Sequence, residues 1–98
     1  MILRPEGLQQ TSSSTVTVNN GIGKIVVGTG TLLGAFTMTF PSAPNDRDNL
    51  IIFFNGGVTL LTFLSNLSFA NTLPTTAALG LVMCYEYEQV SNKWYRLY

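Results

Sequence analysis

The sequence predicts an all-β domain, either a small antiparallel β-sandwich or a jelly-roll-like fold. Apolar and polar residues alternate with a period of two in several short segments, as in half-buried strands. Gly, Pro and Asn residues stand between these segments and predict turns. No segment has the period of an amphipathic helix. Short strands at close spacing favour a sandwich or a jelly roll.

The N-terminal third contains two predicted strands after an irregular segment. Residues 1–14 are expected to form an irregular arm, because a proline, a glycine and a run of serines oppose regular structure. Residues 15–18 alternate as a strand. Asn and Gly at residues 19–21 predict a turn, since both tolerate positive φ. Residues 22–28 form the second predicted strand, and residues 29–34 a loop.

The next strand, at residues 35–40, has the clearest alternation in the chain. Phe36, Met38 and Phe40 share one face, and threonines occupy the other. Pro41 ends this strand, because proline has no backbone N–H to donate. A polar loop is predicted for residues 41–49.

Two very apolar segments follow, at residues 50–54 and 58–64. The Asn-Gly-Gly sequence at residues 55–57 predicts that they form a β-hairpin. Both faces of these strands carry apolar side chains, and one sandwich core can cover only one face. We therefore expect the second face to meet another copy of the chain. The candidate interface residues are Leu50, Ile52, Phe54, Leu61 and Phe63.

The C-terminal third begins with a loop over residues 65–80, which includes one short strand near residues 67–69. Residues 81–89 and 93–98 are predicted to form a closing hairpin. Cross-strand ion pairs of Glu86 or Glu88 with Lys93 or Arg96 are expected in this hairpin, each worth a few tenths of a kcal/mol at most.

The composition indicates one domain, at residues 15–98, that associates with itself. Charged residues make up 10% of the 98 residues, and the net charge is zero. Low charge weakens the usual protection against association. The five basic residues are scattered, which argues against nucleic-acid binding. The apolar run at residues 50–64 is too interrupted for a membrane-spanning helix, and the N-terminus lacks the apolar region of a signal peptide, which argues against classical secretion.

The residue types needed for common catalytic and metal sites are scarce. The chain has no His and a single Cys, Cys84, which excludes His-activated nucleophiles and a cysteine zinc site. Asp46 and Asp48 are too few to make a convincing calcium site. The spacing of Glu86 and Glu88 on one strand face is compatible with an acid–base pair, but a solvated face is the favoured interpretation. We expect no catalytic residue, no metal and no cofactor.

Aromatic residues are concentrated near the C-terminus. Most of these rings are expected to pack in the last hairpin or at an interface. Tyr95 and Tyr98 are the candidates for contact with a ligand.

The order of segments in residues 15–98 resembles a known family. The sequence "FTMTFPSAPNDRDNLIIFFNGGVTLLTF", followed by "TLPTT", "YEY" and the terminal "SNKWYRLY", is similar to small β-rich modules near the C-termini of phage tail-fibre and other virion appendage proteins. The resemblance implies that the "WY" strand closes the domain and that the chains form a homotrimer.

This resemblance implies a non-enzymatic structural protein of the virion, which mediates assembly and attachment to the host surface. Its partners would be other virion proteins of the fibre, baseplate or capsid, and a glycan or protein on the host. An alternative is a capsid decoration protein that docks through residues 1–14. A carbohydrate-active enzyme or lectin-like module is the weakest alternative.

Overall fold

The computed structural model describes residues 14–28, 30 and 32–98, together with the backbone of residues 8–11. Within these residues the secondary structure consists of β-strands and contains no helix, which confirms the all-β prediction. The strands are β1 (Leu8–Thr11), β2 (Thr15–Thr17), β3 (Lys24–Val27), β4 (Gly34–Thr39), β5 (Asn49–Phe54), β6 (Val58–Leu64), β7 (Ser68–Phe69), β8 (Val82–Glu88) and β9 (Lys93–Arg96).

The strands form two sheets, and most of the pairing is parallel. The six-stranded sheet has the order β1-β3-β5-β8-β9-β7, and the three-stranded sheet has the order β2-β4-β6. β1, β3 and β5 are parallel to one another, as are β2, β4 and β6. The prediction of an antiparallel sandwich or jelly roll is therefore wrong for the first six strands.

The chain passes from one sheet to the other with every strand from β1 to β6. Each of three successive turns of the chain adds one strand to each sheet, which makes the arrangement solenoid-like. Parallel neighbours cannot be joined by a tight hairpin and need a crossover. Here the strand in the opposite sheet is that crossover, and sequence spacing alone does not distinguish this path from a series of hairpins.

The Asn-Gly-Gly segment forms a corner between the sheets, so the predicted hairpin of residues 50–54 and 58–64 is wrong. The backbone N–H of Asn55 donates to the Val27 carbonyl at 2.7 Å, and that of Leu33 donates to the Gly57 carbonyl at 2.9 Å. This corner is thus bonded to the preceding corner of the solenoid. Its turn residues suit a corner as well as a hairpin, because both need a sharp change of direction.

Part of the predicted N-terminal arm belongs to the sheet. Residues 8–11 pair in parallel with β3, with Leu8 opposite Lys24 and Thr11 opposite Val27. The prediction of an irregular segment is therefore wrong for these four residues, because a partner strand that lies distant in sequence supplies their hydrogen bonds. Residues 1–7, 12 and 13 of the predicted arm lie outside the described residues.

The last strands close the six-stranded sheet. β8 pairs antiparallel with β5 and with β9, so the predicted C-terminal hairpin is confirmed. The predicted short strand near residues 67–69 is β7, which adds to β9 in parallel. The edge of β5, where a further parallel strand would otherwise pair, is thus occupied by a hairpin.

A cluster of aromatic rings connects the two sheets. Phe40 follows β4 and is 1% exposed. Its ring centroid lies 5.2 Å from that of Phe63 in the same sheet. It also lies 5.0 to 5.2 Å from the rings of Phe69, Tyr85 and Trp94, which belong to the six-stranded sheet, in edge-on geometry. Such pairs add about 0.5–1.5 kcal/mol each beyond their buried area.

Gly28 provides a test of the stacked corners. Its φ is +88°, and a Cβ there would lie 3.2 Å from the backbone N and Cα of Gly56. We expect Gly28→Ala to lower the free energy of unfolding by about 2–4 kcal/mol, from left-handed strain plus displacement of the next corner. Urea denaturation measures this change.

Gly21 is the matched control. Its φ is +87°, and a Cβ there would meet nothing within 4 Å. Gly21→Ala should therefore cost only the strain, about 1–2 kcal/mol. Equal losses in the two variants would contradict close stacking of the corners.

Candidate interaction surface

The residues predicted to face a neighbouring copy lie in the core of the chain itself. None of the five exceeds 4% exposure, and each points between the two sheets. Any interface with another copy must therefore use different side chains. The five residues are Leu50, Ile52, Phe54, Leu61 and Phe63.

The outer face of the six-stranded sheet carries an apolar patch. Since Leu50, Ile52 and Phe54 point inward, Ile51 and Phe53 must point outward. The sheet register places Val26 and Val82 on either side of Phe53, and Lys24 and Cys84 on either side of Ile51. We call the half-buried residues Val26, Ile51, Phe53 and Val82 the outer apolar patch.

An open groove extends this patch at one end. Its volume is about 440 Å³, and Phe53, Leu79, Gly80 and Val82 contribute to its lining. Leu79 at its rim is 62% exposed. The described lining contains no ionisable side chain, so the groove is suited to apolar contact and offers no acid or base for catalysis.

Cys84 lies beside the outer apolar patch, opposite Ile51 in the sheet register. It is 3% exposed and shares a side-chain hydrogen bond with Tyr98. Burial raises the pKa of the Cys84 thiol, the bond to Tyr98 opposes this shift, and the charge of Glu86 adds to it. The thiol is therefore protonated at neutral pH and packs as a small apolar group.

The outer face of the three-stranded sheet has a different chemistry. Thr15, Thr37 and Thr62 lie side by side on β2, β4 and β6, and Thr39 lies opposite Leu64 in the next row. We call this row of threonines, together with Thr39, the threonine face. Parallel in-register strands repeat its hydroxyl and methyl groups every ~4.8 Å across the sheet. The exposed Leu60 and Leu64 of β6 flank this row, and the outward side chains of the described sheet are uncharged.

The carboxylates of the predicted pair have separate structural roles. Glu86 forms an ion pair with Arg47 at 3.3 Å, not with Lys93 or Arg96. Glu88 accepts hydrogen bonds from the backbone N–H groups of Val90 at 2.6 Å and Ser91 at 2.9 Å. The side chain of Ser91, followed by these backbone groups, lowers the pKa of Glu88. Glu88 is thus an ionised acceptor in the β8–β9 turn, which is unfavourable for a general acid.

The two aspartates of the polar loop also accept backbone hydrogen bonds. Asp46 accepts from the N–H of Gln89 at 2.8 Å, and Asp48 from that of Asn45 at 2.8 Å. The first bond attaches the loop to the end of β8, and the second lies within the loop. In the described part of the chain, no group of three or more His, Cys, Asp or Glu residues is placed to hold a metal ion.

Both tyrosines that were predicted to contact a ligand are accessible. Tyr95 is 37% exposed and Tyr98 is 58% exposed. The Tyr95 hydroxyl donates to Ser91 Oγ at 3.1 Å, while Tyr98 lies at Cys84. Their contact with a ligand stays a prediction. Among residues 14–28, 30 and 32–98, no helix is long and apolar enough to span a bilayer.

Two members of the outer apolar patch could not be selected from the sequence. Val26 and Val82 lie beside Phe53 only because β3 and β8 both pair with β5, in the register that the structure shows. The alternation within "KIVV" and "LVMCY" does indicate that one valine of each segment faces away from the core. It does not indicate which strand lies next to which.

The fold is thus all-β and solenoid-like, with two chemically distinct outer faces. No protein-family model matches the chain, and no curated protein matches it. A solved structure described as "Structure of a chaperone-substrate complex" is similar, with a TM-score of 0.52 and 13% sequence identity over 88% of this chain. The chain spans 14% of the length of that protein. At this identity the similarity concerns the fold alone.

Tyr85 makes the stability of the folded state depend on pH in the alkaline range. Its hydroxyl is buried without a hydrogen-bond partner among the described residues. Burial raises the pKa of Tyr85, and the charge of Arg96 partly opposes this. The folded state therefore favours the neutral phenol. This contribution to stability is complete below the unfolded-state pKa of about 10 and is lost as the pH rises above it.

We expect Tyr85→Phe to leave the free energy of unfolding at pH 7 unchanged or to raise it by about 1 kcal/mol, because it removes an unpaired buried hydroxyl. Above pH 10 the wild-type chain should lose stability more steeply than the variant. Urea denaturation from pH 7 to pH 11 measures both effects. Parallel pH profiles would show that Tyr85 is not the titrating group.

Proposed function

We propose that the chain is a non-enzymatic structural module of a phage tail fibre or other virion appendage, that it forms a homotrimer, and that it attaches to the host surface. The observation that carries this proposal is the closure of the six-stranded sheet by the β8–β9 hairpin. A solenoid that ends in a hairpin is suited to the distal end of an elongated assembly. The resemblance of residues 15–98 to modules near the C-termini of appendage proteins supports the same position.

The surface chemistry supports a role through contact. The sequence has no His, and the described lining of the groove has no ionisable group. Glu86 pairs with Arg47, and Glu88 caps a turn. The large features that remain are the outer apolar patch and the threonine face.

The threonine face supports attachment to a glycan. Threonine hydroxyls donate and accept hydrogen bonds, and their methyl groups provide apolar contact. A sugar ring needs both kinds of contact. In a trimer, three such faces would bind a repeated surface ligand with far higher avidity than one face.

Capsid decoration through residues 1–14 has less support. Residues 8–11 of that segment are committed to pairing with β3. The position of the protein in the particle distinguishes the two roles.

The location is tested by immunogold labelling and cryo-EM of intact particles, with antibodies against the purified chain. We expect label at the tips of tail appendages, because the fold closes at one end. Label spread over the capsid would favour decoration, and particles without label would reject both roles.

The threonine face is tested by replacing two hydroxyls with methyl groups in Thr37→Val/Thr62→Val. We expect binding of the purified protein to host cells to fall several-fold, with the molecular mass and the unfolding transition retained. Flow cytometry with labelled protein measures this binding.

Thr76→Val is the matched control, because Thr76 is exposed on a loop outside both sheets. It should bind as the wild-type chain does. Equal binding by the double variant and the control would reject the threonine face as the contact.

A further inference from the structure

The sequence contains two Asn-Gly pairs, and the structure places them in opposite environments. Asn20 and Gly21 lie in the turn between β2 and β3, whereas Asn55 and Gly56 lie in the corner between β5 and β6. In such a pair the backbone nitrogen of the glycine can attack the side-chain amide of the asparagine, because glycine has no Cβ to obstruct its nitrogen. The attack requires the peptide group between the two residues to rotate until its nitrogen faces the amide carbon.

The peptide group between Asn20 and Gly21 is free to rotate. Both residues are exposed, and neither the Asn20 carbonyl nor the Gly21 N–H takes part in a hydrogen bond within the described residues. The turn around them is closed by a bond from the Ile22 N–H to the Asn19 carbonyl at 3.2 Å. A Cβ on Gly21 would meet nothing within 4 Å, so no neighbouring atom opposes the movement.

The side-chain amide of Asn20 is polarised by the fold. Its Oδ1 accepts a hydrogen bond from the Ala43 N–H at 2.9 Å. This oxygen gains negative charge when a nucleophile adds to the amide carbon, and a donor at that distance stabilises the charge. The amide nitrogen, which must leave as ammonia, has no hydrogen-bond partner among the described residues.

The peptide group between Asn55 and Gly56 is fixed from both sides. The Asn55 carbonyl accepts a hydrogen bond from the Gly30 N–H, and the Asn55 N–H donates to the Val27 carbonyl at 2.7 Å. Gly56 is buried, and a Cβ on Gly28 would lie 3.2 Å from its nitrogen. Rotation of this peptide group would therefore break the bond to Gly30 and move Gly56 against the preceding corner of the solenoid.

We infer that Asn20 of the folded chain is a site of spontaneous deamidation, whereas the corner that holds Asn55 protects that residue. The nitrogen of Gly21 forms a bond to Cγ of Asn20 and loses its proton to the solvent. The bond from Cγ to the amide nitrogen breaks, and this nitrogen takes up a proton and leaves as ammonia. Water then opens the resulting succinimide, either at Cγ to give isoaspartate's counterpart, aspartate, or at the main-chain carbonyl carbon to give isoaspartate. Water is the only reactant consumed.

The modification changes both the charge and the geometry of the β2–β3 turn. Either product adds one negative charge to a chain whose net charge is zero. Isoaspartate also inserts one carbon atom into the main chain, at a turn that Asn20 attaches to the Ala43 N–H. The position of this turn relative to the loop that contains Ala43 therefore changes as the molecule ages.

The experiment incubates the purified chain in mildly alkaline buffer, either folded or unfolded in guanidinium chloride, and follows both sites by mass spectrometry of tryptic peptides. Cleavage after Lys24 and Arg47 places the two asparagines in different peptides. In the folded chain we expect Asn20 to convert about tenfold faster than Asn55 or more, because Asn55 must wait for local opening of its corner. In the unfolded chain the two rates should be similar. Fluorescence of the buried Trp94, the only tryptophan, reports which samples are folded.

Gly21→Ala is the matched variant, because its Cβ crowds the attacking nitrogen while Asn20 stays in place. It should convert several-fold more slowly than the wild-type chain at Asn20 and at the wild-type rate at Asn55. Equal rates at the two sites of the folded wild-type chain would overturn the inference. So would an Asn20 that stays intact in the folded chain while it converts in the unfolded one. These rates do not depend on the proposed role in the virion.

Discussion

The contacts around Phe40 hold the two parts of this fold together. Phe40 directly follows β4 of the three-stranded sheet, and its ring packs against Tyr85 and Trp94 of the closing hairpin. The stack of parallel strands and the hairpin that ends it therefore share one core. A domain of 98 residues buries only a little more than about 60% of its unfolded surface, so it has little apolar area elsewhere to replace these contacts. The position of β8 against β5, and with it the closed end of the solenoid, depends on this cluster.

The packing of this core also determines which side chains lie on the outer faces of the two sheets. The most buried side chains of both sheets are aromatic or large aliphatic residues. Because side chains alternate along a strand, each inward residue sets the direction of its neighbours. On β5 those neighbours are Ile51 and Phe53, and on β4 they are threonines. The two outer faces therefore differ: one carries the half-buried Val26, Ile51, Phe53 and Val82, and the other carries a row of threonines flanked by the exposed Leu60 and Leu64.

Local sequence signals predicted most strands but few of their partners. The alternation in residues 35–40 and the apolar run before Asn55 locate β4 and β5. The turn at Asn55–Gly57 was interpreted as a hairpin, because glycine-rich turn chemistry is common to hairpins and solenoid corners. β1 was missed for a related reason, since Leu8–Thr11 is a strand only by virtue of its pairing with β3. The sequence predicts apolar side chains on both faces of residues 50–54, but the predicted interface residues Leu50, Ile52 and Phe54 lie on the inward face.

The sequence by itself determined that the chain is all-β, that it has little charge, and that it lacks the histidine chemistry of many enzymes. These conclusions follow from residue types and from a period of two, which are local properties. The tertiary structure decided which face of each strand points inward and which strands are neighbours. Those choices arise from long-range pairing and from the packing of rings such as Phe40 and Trp94, whose partners lie far apart in the chain. Only that packing shows that Leu50 and Ile52 lie in the core, whereas Ile51 and Phe53 lie on the outer face of the sheet.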